Sequence, residues 1–434
     1  MSVTTRWTPR YALGIALVAV IATGFAIAFR WTLAWTWELA AGAHDVVAAM
    51  ELAPWWACVL LPAAGGLAAG ILVLLAARHT TGGSGVGGVI EAVAIGRIRL
   101  SFRAALLRAA SSWCAIVTGG SLGREGPLIQ FGGTTGDDVG EWLKLGTHER
   151  RVLIAAGTAA GFAAAYNTPL AAVVFVLEVV VGVIVMETVV PTLIATVIAT
   201  AMSRWLVGEG PIYGQRMFVL ADLRELIAYA ALGAVCALVA WAFTRLVQYA
   251  ARLFKRIPSP WRQAAGGLGA GAIVAAMPSV AGNGYEPLGA ILDHSLTLAF
   301  VGWLLLAKMV ATASSVAAGN PGGVFTPSML IGGCVGYLFG NGLDALGFAV
   351  SSPGGYALVG MAAAVAATTH APLMAAVLAF EVSGDYAVVL PLVLATAVAT
   401  GLARRLDRDS VYTAELRERG VTWELTRTLP TSGS

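Results

Sequence analysis

The fold is decided by the segment Gly123-Arg124-Glu125-Gly126-Pro127. It interrupts an apolar stretch with turn residues, and it brings a carboxylate into sequence of the depth that lipid would surround. Two hundred positions later, Gly323-Val324-Phe325-Thr326-Pro327 repeats the interruption. A glycine pair follows each segment at the same distance, as Gly132-Gly133 and as Gly332-Gly333. In a bilayer, non-helical backbone is stable only where it is buried in protein or lines a polar cavity. Two matched interruptions therefore predict one shared binding site.

The composition indicates the class of protein. Hydrophobic residues make up 58% of the chain and charged residues 12%, against about a quarter charged in an average soluble domain. Seven apolar runs are each close to the ~20 residues that cross the hydrocarbon core, at 11–29, 55–77, 168–186, 188–206, 226–247, 300–317 and 386–403. Five more are short or broken, at 104–120, 153–166, 265–277, 328–340 and 355–381. We predict an all-α integral membrane protein with tilted, re-entrant or half-length helices.

The distribution of charge indicates orientation. Basic residues cluster near both ends of the chain, as Arg6, Arg10, Arg404, Arg405, Arg408, Arg417 and Arg419. Because such residues favour the cytoplasmic side, we expect both termini in the cytoplasm, an even number of crossings and a location in the cell inner membrane. The net charge of +3 is small, and no basic run is dense enough to predict a nucleic-acid partner.

Cysteine and histidine usage predicts neither a metal site nor a cofactor. The four cysteines are isolated within apolar sequence, at Cys58, Cys114, Cys236 and Cys334. They have no partner at metal-ligand spacing, and the five histidines form no HExxH pair. The cysteines are expected to be buried small hydrophobic residues.

A second internal match supports a duplication. Asn167-Thr168-Pro169 leads to Glu178, and His370-Ala371-Pro372 leads to Glu381, with proline and glutamate nine positions apart in both copies. We expect these glutamates to be structural hydrogen-bonding groups without a transport role. The whole chain, 1–434, is then one transmembrane domain, divided into a first repeat of about 55–206, a second repeat of about 226–403, and a final helix with a short cytoplasmic tail over 404–434. The residues alone leave open whether the repeats are parallel or inverted.

The interrupted segments have the properties of anion sites. Pro127 and Pro327 suit the first turn of a helix, where the missing N–H has no cost. Each segment thus presents free N–H groups at a helix N-terminus, which carries about half a positive charge. Two such termini that meet would bind a halide and still release it. Ordinary surface turns between helices are the alternative interpretation.

Two further features add hydroxyl donors. The glycine-rich loop 82–88 contains Ser84, which is suited to an anion among backbone amides, although such loops are also common as flexible linkers. Near the end of the chain, Tyr412 precedes a short charged tail. Taken alone, that tyrosine is typical of an interfacial anchor.

Together these features resemble the CLC family of chloride channels and chloride/proton exchangers. The similarity covers essentially the whole chain, from the Gly-Ser-Gly loop at 83–85, through 123–127 and 323–327, to Tyr412. The order and spacing of these motifs make the resemblance specific. It implies a homodimer in the lipid bilayer, with one pore in each subunit and two inverted halves of tilted, broken helices.

The resemblance also implies where chloride binds. Its central ligands would be the hydroxyls of Ser84 and Tyr412 and the amides of Val324 and Phe325, beside Gly83 and Gly85 of the loop. Arg124, Glu125 and Thr326 would frame an outer chloride site. Glu125 would be the gate, because an ionised carboxylate is attracted to the same helix ends as chloride and protonation removes that attraction. A charged residue at the membrane centre costs on the order of 3 kcal/mol, which makes Glu125 a functional candidate.

Two positions depart from the family pattern. Proton-coupled members commonly carry a second glutamate directly after the position of Glu178, where this chain has Val179. Valine cannot relay a proton, so the sequence favours a passive chloride channel gated by pH or voltage, with a chloride/proton antiporter that uses another proton path as the alternative. The second departure is Gly87, where the family loop usually has proline. It leaves the preference among halides and nitrate open.

Two other classes of protein compete with this interpretation. Ser84 within its glycine loop also fits an intramembrane serine protease, with His370 as the base. A protease would leave the repeated glycine segments and Tyr412 without a role, and two residues do not establish a catalytic dyad. The other competitor is a solute symporter of a different family, which would take up its substrate without chloride.

Overall fold

The structure is a computed structural model and describes residues 7–80, 82–96, 100–208, 210–214, 216, 218, 220, 222–348 and 352–421. The predicted tail residues 422–434 and Arg6 lie outside the described residues. In the described ranges the chain is built from helices, and its β pairing is an isolated antiparallel bridge between Gly123 and Gly323.

Nine α-helices form the first half of the described chain. They are α1 (Pro9–Ala41), α2 (Val46–Leu52), α3 (Trp55–Ala77), α4 (Gly85–Ile90), α5 (Phe102–Val117), α6 (Glu125–Trp142), α7 (Thr147–Tyr166), α8 (Pro169–Phe175) and α9 (Met186–Val207). Two π-helical segments, Glu91–Ile95 and Val176–Val181, extend α4 and α8.

The second half also has nine described α-helices of mixed length. It contains α10 (Glu225–Phe254), α11 (Trp261–Ala276), α12 (Tyr285–Leu292), α13 (Leu298–Ala317), α14 (Phe325–Ala345), α15 (Pro353–Thr369), α16 (Pro372–Ser383), α17 (Val389–Leu406) and α18 (Val411–Glu418). A 3₁₀ turn, Pro278–Val280, precedes α12.

Six segments of the described chain are long and apolar enough to cross a membrane. They are Pro9–Leu52, Trp55–Ala77, Met186–Val207, Glu225–Phe254, Leu298–Ala317 and Val389–Glu418. The prediction of a full-length crossing at 168–186 was wrong, because α8 and its π-helical extension end at Val181, before Gly182 in a left-handed conformation (φ 77°). The predicted short run at 328–340 belongs to a longer helix, the 21-residue α14. Hydropathy misses its ends because polar and glycine residues lie there.

The two halves repeat the same helix contacts. Helix α6 packs against α7, as α14 packs against α15, and α1 contacts α6, α7 and α9 as α10 contacts α14, α15 and α17. By these contacts α1 is the counterpart of α10. The centre of the bundle is formed by α7 and α15, in which every residue from Val152 to Tyr166 and from Gly354 to Thr369 is buried. Such helices are apolar on all sides because protein surrounds them.

Small residues let the central helices approach closely. A Cβ atom on Gly132 would overlap the carbonyl of Gly157, and one on Gly332 would overlap the carbonyl of Gly360. These are the glycine pairs that follow the two interruptions in the sequence. Without a hydrophobic driving force between helices in lipid, close backbone approach at small residues is what holds such pairs together.

The glutamates of the second motif join the halves reciprocally. The Glu178 carboxylate accepts hydrogen bonds from the amides of Leu373 (3.3 Å) and Met374 (2.8 Å) at the start of α16. Conversely, the Glu381 carboxylate accepts from the amides of Leu170 (3.0 Å) and Ala171 (2.7 Å) at the start of α8. Each glutamate thus satisfies free amides and the dipole of a helix in the other half, in agreement with the structural role expected for both.

We expect Gly336→Ala to destabilise the protein, because a methyl group there would overlap the carbonyl of Tyr356 on α15. Overpacking of this kind costs roughly 1–3 kcal/mol. Gly342→Ala is the matched control on the same helix, since no atom lies within 4 Å of its Cβ position. The apparent melting temperature of the purified protein in detergent should fall for the first variant and not for the second. Equal melting temperatures would contradict the role of close α14–α15 packing.

Candidate functional site

The two interrupted segments meet, as their matched positions predicted. The amide of Gly123 donates to the carbonyl of Gly323 (2.8 Å), and the amide of Gly323 donates back to the carbonyl of Gly123 (2.9 Å). This antiparallel pair of hydrogen bonds satisfies backbone groups that lipid could not satisfy. It also brings the starts of α6 and α14 to one place.

Both helices begin directly after the bridge. Helix α6 starts at Glu125 and α14 at Phe325, with Pro127 and Pro327 in their first turns. The first amides of each helix have no partner within the helix. Two positive dipole ends therefore converge at the junction, which suits a negative charge.

Glu125 places a carboxyl group at this junction. Its side chain is buried, with 2% of its surface exposed, and one carboxylate oxygen accepts a short hydrogen bond from the Thr326 hydroxyl. Its Oε2 has no hydrogen-bond partner among the described residues. A Cβ on Gly123 would overlap Oε2. Glycine is therefore needed at position 123 for the carboxylate to lie across the bridge.

Tyr166 completes a chain of hydroxyl groups. Its hydroxyl lies 3.0 Å from Thr326 Oγ1. Because the Thr326 proton points to Glu125, the tyrosine donates to Thr326. Sequence reasoning missed Tyr166, although it immediately precedes the Asn167 motif. That adjacency was the available signal.

Arg124 lies at the junction as the N-cap residue of α6. Its guanidinium group stacks 5.1 Å from the ring centroid of Tyr285, a cation–π geometry. The Tyr285 ring contacts the Tyr166 ring edge-on at 6.2 Å. Arg124 Nε is buried without a hydrogen-bond partner in the described structure, so it is one donor left for a ligand.

A cavity of about 420 Å³ unites most of the predicted ligands. Its lining includes Ser84, Gly85, Glu125, Val324, Phe325 and Tyr412. These residues come from the loop before α4, from the starts of α6 and α14, and from α18. The cavity thus connects the carboxylate at the junction with both predicted hydroxyl donors.

The loop around Ser84 is held by specific hydrogen bonds. The carbonyl of Gly83 accepts from Arg108 Nη1 (2.7 Å), and the amide of Gly85, at a φ of 57°, donates to Gln130 Oε1 (2.9 Å). The Ser84 hydroxyl is exposed and donates to Glu415 Oε1 (3.3 Å). In this conformation the Gly85 amide donates to Gln130 and the Ser84 hydroxyl donates to Glu415, so both donors already have an acceptor. Sequence reasoning named neither partner.

Tyr412 lies between two cavities. It lines the cavity just described and also a second one of about 370 Å³, whose lining includes Val179, His370, Arg404 and Arg408. The Tyr412 ring packs edge-on against Phe175 at 6.5 Å. A bulky side chain at this boundary separates the site from the arginine-rich cavity.

The voltage gated chloride channel family model matches residues 65–404 of this chain. The chain belongs to the CLC family. The described helices and the meeting of the two interruptions agree with the all-α, CLC-type bundle of two inverted repeats expected for such a member. Membership also places the chain among channels and transporters, and not among enzymes.

Two proteins with similar sequences support the same family. The chain is 38% identical over 387 residues to a "Putative chloride channel protein ClcB-like" of Ralstonia nicotianae, covering 88% of this chain and 90% of that protein. It is 32% identical over 416 residues to the "Voltage-gated ClC-type chloride channel ClcB" of Escherichia coli K12, covering 93% and 98%.

Solved structures share the fold. A slow cyanobacterial Cl⁻/H⁺ antiporter superposes with a TM-score of 0.83 at 23% identity, over 95% of this chain and 99% of that one. A CLC-type fluoride/proton antiporter superposes with a TM-score of 0.76 at 21% identity, over 93% and 97%. At these identities the likeness concerns the CLC fold alone.

The protease interpretation loses its support in this CLC bundle. Ser84 donates to Glu415, and His370 ends α15 in a left-handed conformation (φ 59°) with its carbonyl bound by Arg404. The serine lines the larger cavity and the histidine the smaller one.

We expect Thr326→Val to destabilise the protein by about 1–3 kcal/mol, because the buried Glu125 carboxylate would lose its hydroxyl donor. Thr326→Ser keeps the hydroxyl and is the control. Apparent melting temperatures of the two purified variants measure the difference. A valine variant as stable as the serine variant would show that the hydrogen bond contributes nothing.

Proposed function

We propose that this protein is a chloride-selective channel in which Glu125 is the gate. The observation that carries the proposal is the position of the Glu125 carboxylate at the junction of α6 and α14, in the cavity that Ser84 and Tyr412 also line. Chloride is its ligand, and the proposal includes no cofactor.

The gate follows from competition between anions. The converging helix N-termini attract chloride with their partial charges. An ionised Glu125 satisfies the same partial charges and excludes chloride. A protonated Glu125 is neutral, so it loses that attraction and chloride replaces it. Partial charges also keep binding weak enough for the anion to leave.

The proposed chloride ligands divide into two groups. The central ion is bound by the hydroxyls of Ser84 and Tyr412 and by the amides of Val324 and Phe325, with Gly83 and Gly85 shaping the loop. The outer ion lies near Arg124 and Thr326. The cavity lined by Ser84, Val324, Phe325 and Tyr412 supports the central site. The unpartnered Arg124 Nε supports the outer one, although Arg124, Thr326 and Gly83 do not line that cavity.

A passive channel is favoured over an exchanger by Val179. It lies in the π-helical segment after α8 and lines the cavity on the far side of Tyr412. Its side chain cannot carry a proton between that cavity and the site. Chloride/proton exchange through another residue is the alternative function, and the accessible carboxylate of Glu415 beside Ser84 is the observation that favours it.

The assembly and location follow the family. We propose a homodimer with a separate pore in each subunit, in the cell inner membrane, with both termini in the cytoplasm. The arginines in the last turn of α17, Arg404 and Arg405, support a cytoplasmic C-terminus.

Glu125→Gln is expected to give chloride flux that has lost most of its dependence on pH, because the amide stays neutral at every pH. Flux from liposomes that contain purified protein measures this. Glu141→Gln, at the other end of the same helix and partnered with Arg150 (3.2 Å), should keep the pH dependence of the wild type. Unchanged pH dependence in Glu125→Gln would overturn the gate.

The reversal potential under opposed chloride and proton gradients distinguishes channel from exchanger. A channel follows the chloride gradient alone, since no proton crosses with the ion. If a chloride gradient by itself drives protons uphill into the liposomes, the protein is an exchanger.

A further inference from the structure

Glu415 is a second carboxylate at the permeation cavity. It lies on α18 three residues after Tyr412, so both side chains project from the same face of that helix. Its Oε1 accepts the hydrogen bond of the Ser84 hydroxyl at 3.3 Å. The donor proposed for the central chloride is therefore already bound to a carboxylate of the protein.

Glu415 shares its cavity with the first gate. Both Glu125 and Glu415 line the cavity of about 420 Å³. Whereas Glu125 is 2% exposed, Glu415 and Ser84 are both exposed. The Glu415 residue is thus more exposed than Glu125 in the same cavity.

Gly87 lies beside the Glu415 carboxylate. A Cβ at that position would lie 3.4 Å from Glu415 Oε2, in ordinary van der Waals contact. The departure from the loop pattern at Gly87 is therefore next to the second carboxylate.

Charged groups surround Glu415 from several elements. They are Arg108 on α5, Arg419 after α18 with its partner Glu91 (2.8 Å), Glu418 with its partner Lys255 (3.0 Å), and Glu125 on α6. Both arginines have other hydrogen-bond acceptors, since Arg108 donates to the Gly83 carbonyl and Arg419 donates to Glu91. They hold the loop and the helix end in place beside the carboxylate.

We propose that Glu415 is a second, inner gate. The ionised carboxylate accepts the hydrogen bond of the Ser84 hydroxyl, which is then not available to the permeating anion. Protonation of Glu415 frees that hydroxyl. A hydronium ion delivers one proton to the carboxylate and leaves water behind. The neutral acid no longer competes for the donor, and the Ser84 hydroxyl turns to the anion. The inference rests on the proposed function, because it assumes an anion that passes Ser84.

A variant with the first gate removed tests the inner gate. In Glu125→Gln, the pH dependence that remains should come from Glu415, and we expect at least about a twofold rise in chloride flux between about pH 7.5 and about pH 5. Adding Glu415→Gln should abolish that remainder. Adding Glu141→Gln instead should preserve it, because Glu141 pairs with Arg150 at the far end of α6 and lines neither cavity.

The outcomes separate this inference from the proposed function. Two outcomes overturn the inner gate and leave the first gate in place. One is pH-dependent chloride flux that persists in the Glu125→Gln/Glu415→Gln variant. The other is chloride flux without any pH dependence in Glu125→Gln alone. Absence of chloride flux in Glu125→Gln and in the wild type overturns the proposed function itself. If the double variant does not purify, Glu415→Asp replaces Glu415→Gln, since its shorter side chain keeps the charge but withdraws from Ser84. If the Glu125→Gln/Glu415→Asp variant keeps the same pH dependence of flux as Glu125→Gln alone, the proposal is also overturned.

Discussion

The backbone bridge between Gly123 and Gly323 is the constraint on which the rest of the structure depends. Two turns in apolar surroundings expose peptide groups that lipid cannot satisfy, and here each turn satisfies the other. Once the turns are paired, α6 and α14 must start at the same point, and their dipoles add there. The carboxylate two residues after Gly123 then lies across the junction. The position of that carboxylate is thus a consequence of how the backbone satisfies its own hydrogen bonding.

Carboxylates that bind peptide amides or hydroxyls recur throughout the molecule with different consequences. Glu178 and Glu381 each bind two amides of a helix in the opposite half, so they fasten the repeats together. Glu125 and Glu415 accept hydrogen bonds from the hydroxyls of Thr326 and Ser84, and both line a cavity. The difference lies in the kind of donor and in the surroundings, which are amides at helix starts for one pair and hydroxyls beside a cavity for the other.

The sequence predicted the repeated segments, the chemistry of their helix starts and several residues of the cavity lining, because glycine and proline at matched spacing within apolar sequence are typical of paired helix starts. The sequence-based prediction failed where packing against neighbouring helices determines the length of a helix or the partner of a side chain. The run at 168–186 has the length of a full crossing, but α8 lies against α7, α9 and α16, and its π-helical extension stops at Val181. Gln130 lies within ordinary helical sequence with no pattern that indicates its bond to Gly85, and the position of Tyr166 beside the Asn167 motif does not indicate that its partner is Thr326.

By itself the sequence determined that this is a helical membrane protein with two related halves and an anion-attracting interruption in each, since composition, period and turn residues act locally. Only the tertiary structure decided which groups hold those interruptions together, which donors are already occupied, and that Glu415 reaches Ser84. The reason is physical: a hydrogen bond between residues 331 positions apart depends on the packing of every helix between them, and no local pattern carries that information.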